Sequence, residues 1–149
     1  MIIRLAHAGE GERLREIAAA SKAHWGYDAD FVRAWASSGD FSDDALERDE
    51  FFVAESDERA VAWAALKRKD DALYWLDDLW VEPEWIGRGI GTALFRRVVG
   101  RARELGARRL EWQAEPNSVG FYEKVGARCT GELHMTSWGR EVPVMELEL

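Results

Sequence analysis

Three glycines at alternate positions, Gly87, Gly89 and Gly91, follow the apolar run Leu79-Trp80-Val81 and lead straight into a helical pattern. Beyond them Ile90, Leu94, Val98, Ala102 and Leu105 recur at three- and four-residue steps, the period of one buried helical face. A strand, then glycines, then a helix start is an arrangement suited to an anion. The first N–H groups of a helix lack internal partners and carry the positive end of the peptide dipoles. Glycines there remove the Cβ atoms that would keep a phosphate at a distance. Arg88 adds a full charge and Thr92 a hydroxyl donor. A turn that only redirects the chain needs fewer glycines than this.

The phosphate ligand is narrowed by what is missing. A P-loop requires Gly-Lys-Ser/Thr, and no lysine stands here. A dinucleotide fingerprint requires a third glycine where Thr92 or Leu94 is found, although Glu111 lies about where a ribose-binding acid would be. A nucleotide-binding oxidoreductase is thus a distant reading. Two further clusters carry chemistry. Asp77 and Asp78 interrupt an otherwise apolar strand, which calls for a wet face or a function. Regular alternation puts Asp77 with Trp75, Leu79 and Val81, and Asp78 with Leu76 and Trp80. Asn117 to Gly126 reads as an N-capped short helix carrying Phe121, Tyr122 and Val125 and closed by glycine.

The loop Ile86-Gly87-Arg88-Gly89-Ile90-Gly91 resembles the acetyl-CoA pyrophosphate loop of the GNAT superfamily of N-acyltransferases, which reads Gln/Arg-x-x-Gly-x-Gly/Ala. Ile86 departs from the family's Gln or Arg. Asn117 to Gly126 is similar to the family's helix beside the cofactor. The resemblance covers essentially the whole chain, most specifically Leu79 to Ala127, and implies acetyl-CoA as cosubstrate and no metal. Its diphosphate would lie on the amides of Gly87, Arg88, Gly89, Ile90, Gly91 and Thr92, flanked by Ile86. Its pantetheine arm would pair with the backbone of Leu79, Trp80 and Val81, with Asn117 and Phe121 alongside. Tyr122 matches the tyrosine that gives a proton to the departing thiolate. A carboxylate on the preceding strand often serves as base. Parity matches this role to Asp77, with Glu111, Gln113 and His24 as competitors. The implied reaction is direct attack of a primary amine on the thioester. A catalytically idle acyl-CoA-binding module on the same fold is the alternative.

The elements that must position these residues follow in order β-α-α-β-β-β-α-β-α-β-β. The expectation is one domain over residues 1–149, of α/β (α+β) class, with a mixed, mostly antiparallel seven-stranded sheet and four or five helices. A chain of 149 residues is long enough for a real core. Trp25 and Tyr27 flank Gly26 at a helix–helix link and are candidates to floor an acceptor pocket, or simply to pack a hinge. One cysteine, Cys129, excludes an intrachain disulfide, and His7, His24 and His134 have no metal-ligand spacing. The net charge of −8 argues against nucleic acid and anionic membranes and suits a cationic amine. No apolar run of membrane-spanning length and no signal pattern stand in the sequence, so a cytoplasmic location is expected. The segment from Ser137 to Leu149 would edge the acceptor pocket or build a homodimer.

Overall fold

A computed structural model describes all residues, 1–149. Strand β1 (Ile2–Leu5) leads into three helices, α1 (Gly11–His24), α2 (Ala29–Ser38) and α3 (Asp43–Arg48). Strands β2 (Glu50–Ser56), β3 (Arg59–Arg68) and β4 (Leu73–Val81) form an antiparallel meander. Helix α4 (Ile90–Glu104), β5 (Arg109–Gln113), α5 (Val119–Lys124) and the hairpin β6 (Arg128–Met135)–β7 (Glu141–Glu148) complete the chain. The seven strands lie in the order β1-β2-β3-β4-β5-β7-β6, and only β4 and β5 run parallel. Parallel neighbours need a crossover, and α4 supplies it. The expected order and sheet are therefore present, with all five helices. Strand β6 ends at Met135, so that Trp138 sits in the turn before β7.

Both faces of the sheet are covered. Phe52, Ala54, Ala62 and Ala64 pack with Leu94, Phe95, Val98 and Ala102 of α4. On the other face Phe51, Val53 and Trp63 pack with Leu14, Ile17 and Ala18 of α1 and Leu46 of α3. Burial on two sides explains why β2 and β3 read as continuous apolar runs. Trp63, 1% exposed, donates its indole N–H to the Leu14 carbonyl at 2.8 Å and fastens α1 to the sheet. Asp28 caps α2 by accepting from the N–H groups of Asp30 and Phe31.

Two irregularities at the sheet centre create the site. First, β4 and β5 pair only from Leu73↔Arg109 to Trp75↔Glu111, and beyond that the two strands diverge into a wedge. Second, β3 pairs Ala65 with Asp78 and Leu66 with Leu76, leaving Asp77 without a partner in a β-bulge. The extra residue inverts the side-chain alternation. Tyr74 and Leu76 enter the α4-side core, and so do Leu79 and Val81, whereas Trp80 packs on the α1 side. The regular parity that grouped Leu76 with Trp80, and Trp75 with Leu79 and Val81, is therefore corrected by the bulge. No helix is long and apolar enough to cross a membrane.

Candidate active site

The glycine loop is built as an anion receptor. Gly87 and Gly89 hold φ of 82° and 83°, left-handed backbone that a side chain would strain. Gly89 is the N-cap of α4 and no side chain caps it. None of the six N–H groups from Gly87 to Thr92 donates to an acceptor in the chain. They converge on one helix start, where the dipole favours negative charge. Gly91 differs from Gly87 and Gly89: a Cβ there would lie 3.4 Å from the Phe121 ring and 3.7 Å from Val81 Cγ2, ordinary packing contact, so its surroundings alone do not demand glycine.

A cavity of about 390 Å³ fills the wedge between β4 and β5 and reaches this loop. Leu79, Trp80, Val81, Ile86, Gly87, Gly89, Gly91, Thr92, Asn117 and Phe121 all line it. The side chains of Arg88 and Ile90 do not. Arg88 stacks over the Trp85 ring at 4.6 Å, and Ile90 is buried in the core, so each offers the cavity only its amide. Asn117 does not cap α5. It sits inside a single 3-10 turn, Pro116–Ser118, and its side-chain amide donates to Glu115 at 2.9 Å. Proline suits the first position of that turn, which opens at Pro116, two residues before the start that an Asn117 cap would give.

Tyr122 lines the same cavity with only 6% of its surface exposed. Its ring leans on Trp112 (4.9 Å) and Phe121 (5.1 Å). Burial pushes its pKa well up, and the nearby Asp78 carboxylate adds to the effect. Asp78 accepts from Trp80 Nε1 at 2.9 Å. Its pKa is pushed up to about 7 by burial and by the adjacent Asp77, against the pull of Trp80 and Lys22. Asp77 is open to the cleft but largely ringed by protein. Burial again raises its pKa, with Lys67 opposing and Asp49 assisting. Of the two carboxylates, Asp78 is the one electrostatically coupled to Tyr122.

A second cavity, about 150 Å³, contains Lys22, Trp35, Trp75 and Trp138. It shares Leu76, Asp77, Asp78, Trp80, Gln113 and Glu115 with the first, so the two meet at the bulge and the end of β5. Glu111, by contrast, is held by Arg109 at 2.7 Å and lines neither cavity, and neither does His24. Trp25 lines the larger cavity beside Ser21. Tyr27 is part of a tight cluster: its hydroxyl donates to Glu115 at 2.8 Å and accepts from Arg140. Its pKa is pushed up to about 12 by burial and Glu115. Burial alone would raise the Glu115 pKa, but donors from Tyr27, Lys22 and Asn117 outweigh it and hold the carboxyl low. The Ser137 to Leu149 segment thus edges this region through Trp138 and Arg140. Lys22, Glu115, Trp35 and Trp138 were invisible as site residues in the sequence. Their only linear signal was an unusual density of tryptophan, eight in all.

Comparison with known proteins agrees with this geometry. The sequence model of the Acetyltransferase (GNAT) family matches residues 13–127. The peptidyl-lysine N-acetyltransferase YjaB of Escherichia coli (strain K12) is 27% identical over 130 residues, covering 79% of this chain and 87% of that protein. A GCN5-related N-acetyltransferase from Rhodopseudomonas palustris superposes with a TM-score of 0.83 at 25% identity, over 99% of this chain and 95% of that one. The PaiA N-acetyltransferase from Thermoplasma acidophilum, solved in complex with coenzyme A, superposes with a TM-score of 0.79 at 21% identity over the full length of both chains. The family model spans well over half of the chain, the superposed proteins share its seven-stranded mixed sheet, and the chain belongs to the GNAT family of acetyltransferases.

Proposed function

We propose that the protein is an acetyl-CoA-dependent N-acetyltransferase that acts on a primary amine by direct attack. The observation that carries this reading is the wedge itself. Six free amides lie at its outer end, Tyr122 lines its interior, and Asp78 stands where the two cavities meet. When bound, acetyl-CoA supplies an activated acyl group as a thioester. The Gly87–Thr92 amides grip its diphosphate, and the main-chain groups of Leu79 to Val81, unpaired with β5, are free to hold the pantetheine arm.

The acceptor must lose a proton. A lysine-like amine with pKa near 10.4 is neutral about one time in 2,500 at pH 7, a cost of roughly 4.6 kcal/mol. Asp78 takes that proton, directly or through a water, because its pKa is raised to about 7 and it faces the second cavity. Asp77 raises the basicity of Asp78 rather than serving as the base. As the N–C bond forms and the C–S bond breaks, the Tyr122 hydroxyl donates to the developing thiolate, and the second proton shed by the acylated nitrogen restores the phenol through water. Its raised pKa keeps it protonated until that charge appears. Asp77 and Asp78 favour a cationic acceptor, and a peptide lysine, the acceptor named for the E. coli relative, is one such amine.

The test is calorimetric titration with acetyl-CoA followed by thiol release across primary amines and lysine peptides. Saturable binding with acceptor-dependent thiol release is expected. Binding without release for any amine would point to an idle acyl-CoA-binding module instead.

A further inference from the structure

Lys22 has no part in the chemistry set out above, yet at 3% exposure it is the most deeply buried charged residue of the chain. Enclosing an ammonium is unfavourable unless its surroundings replace water. Here Glu115 Oε2 lies 3.0 Å from Nζ. Four rings surround the same atom: Tyr27 at 4.5 Å, Trp138 at 4.8 Å, Trp35 at 5.0 Å and Trp80 at 5.7 Å. An ion pair joining α1 to the end of β5 would need none of them. Several aromatic faces around one cation, with a carboxylate at the side, are how proteins recognise alkylammonium ligands. The rings come from the α1–α2 link, α2, β4 and the β6–β7 turn. The enclosure opens on the 150 Å³ cavity that holds Asp77 and Asp78.

We infer that this enclosure is an alkylammonium subsite of the acceptor cavity, and that Lys22 is its resident occupant, closing it to a second ammonium on the acceptor. Acceptors with one ammonium are admitted to Asp78. Diamines find the cage filled and meet a like charge. The inference rests on the acetyl-transfer reading only for its consequence in turnover, since the subsite is defined by binding alone.

Lys22→Ala deletes a propylammonium group, so free n-propylammonium is the complementary probe. In Lys22→Ala we expect saturable quenching of tryptophan fluorescence and a rise in Tm of roughly 5–10 °C at a hundredfold excess over Kd. Wild-type protein, whose cage is filled, should take up the amine at least tenfold more weakly, and the variant given 1-propanol should show neither effect. With acetyl-CoA present, thiol release for diamines of three to six carbons, relative to chain-matched monoamines, should rise at least tenfold in the variant. A folded Lys22→Ala protein that takes up no amine overturns the subsite. Uptake with an unchanged diamine-to-monoamine ratio overturns the role of Lys22 in acceptor choice. No thiol release from either protein would count against the acetyl-transfer reading, and the uptake titration would still decide the subsite. Should Lys22→Ala fail to fold, rescue by n-propylammonium during refolding supports the inference, and failure of rescue overturns it.

Discussion

Asp78→Asn separates catalysis from stability, because the two should move in opposite directions. The substitution keeps the shape and leaves an amide oxygen to accept from Trp80 Nε1. The wild-type carboxyl, shifted from 3.8 to about 7, is about half ionised at neutral pH. As a base, it should make kcat rise with pH through about 7 and level off above it. Loss of a positioned base costs about 10²- to 10⁴-fold. Asp78→Asn should therefore lose at least about a hundredfold at pH 8, and the rise centred near 7 should vanish. For stability the sign is reversed. The folded pKa lies above the unfolded one, so the folded state binds more protons between them, and stability falls as pH rises from about 4 to about 7. A shift of that size corresponds to about 4 kcal/mol at most. Because the cleft admits water and Asp77 titrates with its neighbour, about 1–2 kcal/mol is the working figure. Urea unfolding at pH 8 should show Asp78→Asn more stable than wild type by that amount, with the difference gone near pH 4. A variant that keeps both its activity and its limb near pH 7, or that is less stable at pH 8, would refute the reasoning. If instead Asp77→Asn abolished that limb, the base would be Asp77.

Three further outcomes can be measured with the same assays. Tyr122→Phe should lower kcat well over tenfold with acetyl-CoA affinity nearly intact, since the ring packing on Trp112 and Phe121 survives; unchanged turnover would remove its role as acid. Gly89→Glu places a side chain at φ 83° and a negative charge among the free amides, so calorimetry should detect no acetyl-CoA binding. Glu115→Ala leaves the buried Lys22 ammonium without its carboxylate and should cost about 3–5 kcal/mol in urea unfolding. A loss under about 1 kcal/mol would mean that the rings alone sustain the charge. Because the Glu115 pKa is depressed, its contribution is present above the ordinary 4.5 and is lost as pH falls through the lower folded value.

Much of this protein is local and was readable along the chain. Glycines at 87, 89 and 91 state their own backbone needs, and two of them adopt the left-handed conformation that only glycine takes freely. The stripe from Ile90 to Ala102 specified α4 and its buried face, and apolar runs bounded by turns specified the strands. Tyr122 was singled out by the resemblance of Asn117 to Gly126 to the family's helix beside the cofactor, and it lines the cavity that the glycines open on.

What the linear pattern misjudged depended on pairing between distant segments. Alternation is a rule about one strand, whereas a bulge is a disagreement between two, and the Ala65–Asp78 register that exposes Asp77 exists only once β3 is alongside. The same holds for the wedge, since β4 pairs with β5 only as far as Trp75 and Glu111 while it stays paired with β3 to Val81. The cage around Lys22 is the extreme case, with its rings drawn from positions 27, 35, 80 and 138. Backbone preference and periodicity are carried by neighbours in the chain, so sequence alone determined the helices, the strands and the glycine loop. Desolvation, ring-to-cation contact and charge coupling act between neighbours in space, so only the folded sheet decided which carboxylate is coupled to Tyr122 and where the Lys22 ammonium is held.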